Sequence, residues 1–365
     1  MAGPGPLLGP GGAMSQDIRF FRIGTGTTGG TYFPIGGIIA GAISAPPGSP
    51  PCNLGGSCGV SGLIAVAQAT SGSVENVEKV ESGEFDAALA QADIAFWGYT
   101  GTGLYRDRGA LSGLRAIARL YAELVHVVTL EEAGIAGIAN LAGKRVSLGD
   151  EGSGTLIGAR LILSAFGLQE GRDYTPVFAG PEQSTDLMLA GEVDAFFIIG
   201  GAPLLAVADL TRRRPVRLVP VAGPEVDPLL ADLPFFTRTR LADDSYPGVA
   251  GVPTLAVGAL FVVADRVEEE IVHGITRALW HPATRALLDA GHPRGREITL
   301  EHALRGLAIP LHPGAARYYR EQGLLRRTSE SEAPAPSPGA VPAPPPDSAE
   351  PTSAPAPPRS RGGGR

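Results

Sequence analysis

Charged residues are scarce in this sequence, and neither sign prevails strongly enough to suggest a polyanionic partner. Asp, Glu, Lys and Arg make up 18% of the 365 residues, and the formal net charge is −7. Proteins that bind nucleic acid usually carry a basic stripe or patch, and none is evident along this chain. The composition therefore predicts no nucleic-acid partner.

Long apolar runs are missing as well. No run reaches the roughly 18 residues that a helix needs to cross a membrane. The first residues, MAGPGPLLGPGGAMSQD, contain no Lys or Arg and no apolar stretch beyond Leu7-Leu8, unlike a secretory signal. We expect residues 1–16 to form a flexible leader and the protein not to span a membrane.

Cysteine occurs only at Cys52 and Cys58, in the loop PPCNLGGSCG. Their spacing fits neither a zinc ribbon nor a thioredoxin-type motif, and no histidine pair lies near them in sequence. An oxidising compartment would allow a small disulfide loop, whereas two unpaired thiols are the other state open to them. The sequence predicts no metal at this loop.

The motifs of common enzyme classes are absent too. There is no H-E-x-x-H and no G-x-S-x-G with suitable partners, and the six histidines are scattered. Asp86 and Asp194 stand at the mouths of equivalent predicted strands and are candidate bases. We expect them instead to hold loops in place by hydrogen bonds.

One stretch has the spacing of a dinucleotide site. Residues 24–29 read GTGTTG, which matches G-x-G-x-x-G after a predicted strand and before a predicted helix. That fingerprint also needs an acidic residue about 20 positions later, where this chain reads APPGSPPCNLGG. We expect no cofactor. A nucleotide-dependent enzyme on a two-lobe α/β scaffold is the alternative function.

Predicted strands, glycine-rich loops and helices alternate along the middle of the chain. This alternation is typical of parallel sheets with helices on both faces. The unit occurs twice, and each copy closes on a similar strand, GEFDAAL in the first and GEVDAFF in the second. The sequence therefore predicts an α/β fold with two lobes around a central cleft.

The predicted lobes are discontinuous in sequence. Lobe I comprises residues 17–120 and 252–323, and lobe II comprises residues 121–251. Residues 326–365 are rich in Pro and Ala and have almost no large apolar side chains. Because such a segment cannot offset the entropy lost on ordering, we expect it to be a disordered tail.

Loops rich in small hydroxyl residues precede three predicted helices. They cover residues 25–31 (TGTTGGT), 70–73 (TSGS) and 152–155 (GSGT). Free amides at a helix N-terminus, together with Ser or Thr hydroxyls, bind an anion without a fixed cation. Loops in open α/β sheets meet beyond the carboxyl ends of the strands. The three loops therefore predict an anion pocket between the lobes.

The chain resembles a known family over most of its predicted folded part, from about Arg19 to Gly323. Eight blocks follow the family order: RIGTGTTGGTYFPIGGIIAGAIS, QATSGSVENVEKVESGEFDAALAQADIAFW, LRAIARLYAELVHVV, LAGKRVSLGDEGSGTLIGARLILSAFGL, GEVDAFFIIGGAP, YPG, VPTLAVGALFVVA and IPLHPGAARYY. They resemble the TAXI family, the solute receptors of tripartite ATP-independent periplasmic (TRAP) transporters.

The resemblance implies a type II periplasmic binding protein and not an enzyme. It implies a periplasmic receptor that closes like a Venus flytrap on a small acid such as glutamate or 2-oxoglutarate. It also implies TRAP permease subunits in the membrane as partners for secondary uptake. The family's export signal has no counterpart here, and the insertion with Cys52 and Cys58 is not general to the family.

The resemblance also implies a set of ligand-binding residues, whose expected role is hydrogen bonding to ligand carboxylates. Asn76 and Gln91 would orient the ligand, and Tyr32 would form a wall. The full set is Thr27, Thr28, Gly29, Gly30, Tyr32, Ser71, Gly72, Ser73, Asn76, Gln91, Gly152, Ser153, Gly154, Thr155, Gly201 and Pro203.

Overall fold

A computed structural model describes residues 18–243 and 245–325. The predicted leader at residues 1–16 and the predicted tail at residues 326–365 lie outside the described residues.

Twelve strands occur in the described ranges. They are β1 (Arg19–Gly24), β2 (Ser44–Ala45), β3 (Val60–Ser61), β4 (Leu63–Gln68), β5 (Ala87–Gln91), β6 (Leu114–Leu130), β7 (Arg145–Ser147), β8 (Thr175–Val177), β9 (Ala195–Gly200), β10 (Val216–Leu218), β11 (Thr237–Arg240) and β12 (Pro253–Ala264).

Ten α-helices occur in the same ranges. They are α1 (Tyr32–Ile43), α2 (Ser73–Ser82), α3 (Ala92–Thr100), α4 (Gly154–Ala165), α5 (Pro181–Leu189), α6 (Leu205–Arg213), α7 (Val226–Asp232), α8 (Glu269–Leu279), α9 (Pro282–Gly291) and α10 (Pro313–Glu321). None of these described helices has both the length and the apolar character needed to cross a membrane.

A single large sheet connects the two halves of the protein. Its strand order is β4-β1-β5-β12-β6-β9-β7-β8, with β10 paired to β6 and β11 paired to β12. The strands β4, β1 and β5 are parallel, and so are β9, β7 and β8. Between these groups, β12 and β6 run antiparallel to their neighbours. The predicted α/β fold of two lobes is confirmed, whereas parallel pairing throughout is wrong.

The strand β6 passes from one half of the sheet to the other. The sequence predicts two strands here, at residues 115–120 and 125–130, but the structure has one strand of 17 residues. Its first part pairs with β12, and its second part, Leu124–Thr129, pairs with β9. A polar residue in the middle of the run, Glu123, interrupts the apolar pattern without interrupting the strand.

The helix α1 shows how one half of the sheet is covered. Its buried face carries Ile35, Ile39 and Ile43, which recur every four residues and so lie on one side of the helix. They join the core around Phe21 and Ile23 of β1. The connection that follows contains a disulfide between Cys52 and Cys58.

The close approach of α10 to α8 depends on a glycine. A Cβ atom at Gly314 would lie 2.3 Å from the carbonyl oxygen of Glu269 and 2.7 Å from the amide nitrogen of His273. Both contacts are with backbone atoms, so the two helices would have to separate. We expect Gly314→Ala to lower the free energy of unfolding by about 1–3 kcal/mol, the usual cost of overpacking.

A matched control for this variant is Gly37→Ala on the exposed side of α1, where an added Cβ would meet no atom within 4 Å. It should raise the free energy of unfolding by about 0.5–1 kcal/mol, because alanine loses less entropy in a helix. Urea unfolding of both variants measures the difference. Equal behaviour of the two would contradict the packing argument.

Candidate ligand-binding site

A cavity of about 60 Å³ lies between the two halves of the protein. Residues from loops and helix starts on both sides form its wall, with β5, β6 and β9 behind them. The lining residues are Gly26, Thr27, Gly30, Thr31, Tyr32, Ser71, Gly72, Ser73, Gln91, Glu123, Gly149, Asp150, Ser153, Gly154, Thr155, Pro181, Phe197, Ile198 and Ile199.

The start of α1 forms one side of the cavity. The preceding loop is fixed to β4, because the Thr25 hydroxyl donates to the carbonyl oxygen of Gln68 at 2.6 Å. A turn follows in which the Gly30 amide donates to Thr27. The first amides of an α-helix have no intrahelical acceptor, and Thr31 and Tyr32 bring such amides to the cavity.

The start of α4 forms the opposite side. The Ser153 hydroxyl caps this helix by accepting a hydrogen bond from the Leu156 amide at 3.1 Å, and it donates to the carbonyl oxygen of Asp150. The amides of Gly154 and Thr155 follow, in the first turn. A Cβ at Gly154 would collide with Oε1 of Gln91, so any larger residue at this position would displace the end of the Gln91 side chain.

The first amides of α2 already have a hydrogen-bond acceptor within the protein. The Val74 and Glu75 amides both donate to the carbonyl oxygen of Gly152, at 3.0 Å, from the opposite half of the protein. The Ser73 hydroxyl accepts a hydrogen bond from the Gln91 amide at 3.1 Å. Two of the three predicted helix starts therefore have amides available for an anion, and the third contributes the Ser73 hydroxyl.

A buried carboxyl group, Glu123 of β6, forms the floor of the cavity. It is 2% exposed, and its Oε2 accepts a hydrogen bond from the Tyr32 hydroxyl at 2.7 Å. Burial raises the pKa of Glu123 and the charge of Asp93 adds to this rise, whereas hydrogen bonds from Tyr32 and Gln91 lower the pKa; the net value is about 8. Glu123 is thus mostly protonated at neutral pH when no cation lies beside it.

Asp93 lies behind this floor, in the first turn of α3. Its side chain is fully buried, and within the described ranges neither of its carboxyl oxygens has a hydrogen-bond partner. Burial raises the pKa of Asp93 to about 7, although the nearby amides at the helix start favour the charged form. Two coupled buried carboxyl groups therefore lie under the cavity.

Two side-chain contacts close the wall between the halves. The Thr28 hydroxyl donates to Oε1 of Glu182 at 2.8 Å, on the exposed rim. The Thr31 hydroxyl donates to the carbonyl oxygen of Gly201 at 2.8 Å and is buried. Together with the hydrogen bonds from α2 to Gly152, these contacts join the two halves of the protein around the cavity.

The structure brings most of the predicted ligand-binding residues together around one cavity. Those that line it are Thr27, Gly30, Tyr32, Ser71, Gly72, Ser73, Gln91, Ser153, Gly154 and Thr155.

The remaining predicted residues lie outside the lining. Asn76 is buried behind the wall: its amide donates to the carbonyl oxygens of Thr25 and Leu89, and its Oδ1 accepts from Thr70. These contacts fix the loop, and the expected role of Asn76 in orienting a ligand stays a prediction. Thr28, Gly29, Gly152, Gly201 and Pro203 do not line the cavity.

The hydrogen bonds expected of Asp86 and Asp194 are present. Asp86 accepts from the Arg22 amide and Asp194 from the Arg145 amide, each at 2.8 Å. Both therefore order the start of a strand.

Sequence reasoning missed Glu123, Asp150 and the apolar wall formed by Phe197 and its neighbours. A signal for Glu123 was present, because it is the one carboxylate in the largely apolar run LRAIARLYAELVHVVTL. A charged residue in a buried strand usually has a partner or a function. The others lie on loops and a strand whose facing direction the pattern does not reveal.

A metal fits poorly at the one group of candidate ligands in the described residues, Cys52, Cys58 and His281. The two sulfur atoms are bonded to each other. Nδ1 of His281 accepts a hydrogen bond from the Ala283 amide, which places the proton of the neutral ring on Nε2 and leaves no lone pair for a metal there. A dinucleotide fits no better, because Gln68 and not an acid ends β4.

Comparisons with known proteins identify one matching family and several solved structures of low sequence identity. A model of the NMT1-like family matches residues 23–323. A protein from Bordetella bronchiseptica RB50 is similar, with 14% identity over 86% of this chain and 91% of that chain and a TM-score of 0.48.

Two sulfonate-binding proteins are also similar. The alkanesulfonate-binding protein SsuA from Xanthomonas axonopodis pv. citri has 16% identity over 85% of this chain and 96% of that chain, with a TM-score of 0.41. The periplasmic aliphatic sulphonate binding protein SsuA from Escherichia coli has 15% identity over 84% and 88%, with a TM-score of 0.42.

Asp93 makes stability depend on pH in a defined direction. Its pKa is about 7 in the folded protein, compared with an ordinary value of 3.8. The folded state therefore binds more protons than the unfolded state in that window, and the free energy of unfolding falls as pH rises from about 4 to 7. At roughly 1.4 kcal/mol per pKa unit, the loss is on the order of 4 kcal/mol.

We expect Asp93→Asn to remove this part of the pH dependence, as measured by urea unfolding at pH 5 and pH 8. Asp107→Asn, at an exposed loop position, is the control and should keep the slope of the unmodified protein. If Asp93→Asn and the unmodified protein lose equal stability between the two pH values, Asp93 is not the buried titrating group described here.

Proposed function

The chain belongs to the NMT1-like family, and we propose that it is an extracytoplasmic solute-binding protein that closes around a small carboxylate-bearing metabolite. One observation carries this proposal. The starts of α1 and α4 come from opposite halves of the protein and face each other across a single cavity.

The cavity has the groups that a carboxylate needs. Helix N-termini carry a partial positive charge, and their first amides bind anions in the absence of Lys or Arg. Thr31 and Tyr32 supply such amides from α1, and Gly154 and Thr155 supply them from α4. The hydroxyls of Thr27 and Ser73 stand between them. We propose that these residues, with Gln91, contact the solute.

Closure of the two halves is the proposed binding motion. A solute shifts a conformational equilibrium only through a difference in affinity for the two states. Contacts to α1 and α4 exist together only when the halves meet, so a solute held by both favours the closed form. The halves that move would be residues 17–120 with 252–323, and residues 121–251, hinged in β6 and in the segment just before β12.

The finer assignment rests on the eight sequence blocks shared with the TAXI family. We propose a receptor of a TAXI-type TRAP transporter that works in the periplasm and delivers its solute to membrane permease subunits. The proposed solutes are small acids such as glutamate and 2-oxoglutarate. A catalytic role receives no support from the lining, which has no Cys, His or Lys in the described residues.

A calorimetric titration tests the proposal. The full chain, unfolded and refolded to strip bound solute, is titrated with a panel of amino acids, 2-oxo acids and dicarboxylates. We expect at least one member to bind with a dissociation constant in the micromolar range or below, accompanied by a decrease in the radius of gyration measured by X-ray scattering. Heat from no member of the panel would contradict the solute-binding role.

The variant Gly154→Ala locates the site. Its Cβ would push into Oε1 of Gln91, so we expect the affinity for the bound panel member to fall at least tenfold. Gly41→Ala is the matched control, since it lies in α1 where an added Cβ meets nothing within 4 Å. Equal affinity of the two variants would place the solute elsewhere.

A further inference from the structure

One hydrogen-bond acceptor in the cavity lining lacks a donor. Oε1 of Gln91 is buried and has no partner in the described residues, and Gln91 as a whole is 2% exposed. Oε1 lies close to the start of α4, where a Cβ at Gly154 would collide with it. Gln91 also interacts with Glu123, whose pKa it lowers.

The charged groups of the lining are all acidic. Glu123 and Asp150 line the cavity, and none of its described lining residues is Lys, Arg or His. Asp150 is half-buried, and burial together with the charge of Glu182 raises its pKa. The two free helix starts offset one carboxylate of a ligand. A second ligand carboxylate would have no cation to meet and two acids beside it.

These observations call for a ligand that brings hydrogen-bond donors and positive charge to the floor of the cavity. An ammonium group offers three donors and one positive charge. The carboxyl group of Glu123 is an acceptor for it, and the polar side chains of Gln91 and Ser73 line the cavity as well.

We propose that this cavity selects α-amino acids over the corresponding 2-oxo acids, with Glu123 and Gln91 receiving the ammonium group and the starts of α1 and α4 receiving the α-carboxylate. The inference rests on the proposed solute-binding function and narrows its substrate class. A zwitterion satisfies both ends of the cavity, whereas a dicarboxylate without an amine satisfies only one.

The expected free energies also favour an amino acid over an oxo acid. In the absence of a cation, the Glu123 carboxyl group, whose pKa is raised to about 8, keeps a proton at pH 7. Removing that proton costs about a tenfold factor in affinity. A hydrogen bond between charged partners in a buried site more than offsets this factor. An oxo acid supplies a carbonyl oxygen at the same place, which accepts hydrogen bonds and leaves Oε1 of Gln91 without a donor.

The rival role for Glu123 is that of a neutral acid that donates its proton to a ligand oxygen. The variant Glu123→Gln separates the two roles. Glutamine retains a donor and an acceptor but cannot become negative. If Glu123 pairs with an ammonium group, the variant loses affinity for amino acids only. If Glu123 donates as a neutral acid, glutamine replaces it for oxo acids and amino acids alike.

Calorimetry with matched pairs tests the proposal: L-alanine with pyruvate, L-glutamate with 2-oxoglutarate, and L-leucine with 4-methyl-2-oxopentanoate. For the pair that binds, we expect the amino acid to bind at least tenfold more tightly than the oxo acid. In Glu123→Gln we expect the amino acid to lose at least tenfold in affinity and the oxo acid to change by less than about threefold. The exposed Glu301→Gln is the control for lost charge and should bind as the unmodified protein does.

An oxo acid that binds as tightly as its amino acid, or a Glu123→Gln variant that weakens both members equally, would overturn the amino-acid proposal and leave solute binding intact. If no member of any pair binds the unmodified protein, the solute-binding function itself fails together with this inference. Circular dichroism of the variant confirms that it is folded, so that a selective loss reports on the ammonium group.

Discussion

A carboxyl group buried where β6 passes between the two halves of the sheet determines the chemistry of the cavity. Glu123 accepts a hydrogen bond from Tyr32 at the start of α1 and contacts Gln91 at the end of β5. Removing a carboxyl group from water is costly unless it is paired or protonated. The cavity therefore either keeps a proton on Glu123 or offers the site to a cation.

The internal repeat explains how two separate parts of the chain form one site. In each half an aspartate, Asp86 or Asp194, stands directly before a strand and accepts a hydrogen bond from the amide of an arginine, Arg22 of β1 or Arg145 of β7. The strands β1 and β7 end at the loops that precede α1 and α4. The same contact thus supports equivalent strands in both halves, and the helix starts that follow these strands line one cavity.

Local rules made much of this fold predictable from the sequence. The loops before α1, α2 and α4 follow from glycine and hydroxyl residues at helix starts, and the structure has helices there. The direction in which a side chain faces, however, depends on contacts with residues distant in sequence. Asn76 shares its helix with Ser73 yet points into the wall, and Glu123 reads as a break in a strand although it is part of one. Both depend on partners more than 40 residues away in sequence.

The contact between α2 and Gly152 shows why three similar loops do not give three equal anion sites. A carbonyl oxygen carries partial negative charge, so it satisfies the start of α2 as an anion would. Two amides of α2 donate to this single oxygen from the opposite half. The protein thus uses one helix start for closure and keeps two for a ligand. Since these bonds already favour the closed form, a solute needs to supply only part of the free energy of closure, and even a small molecule with one carboxylate can complete it.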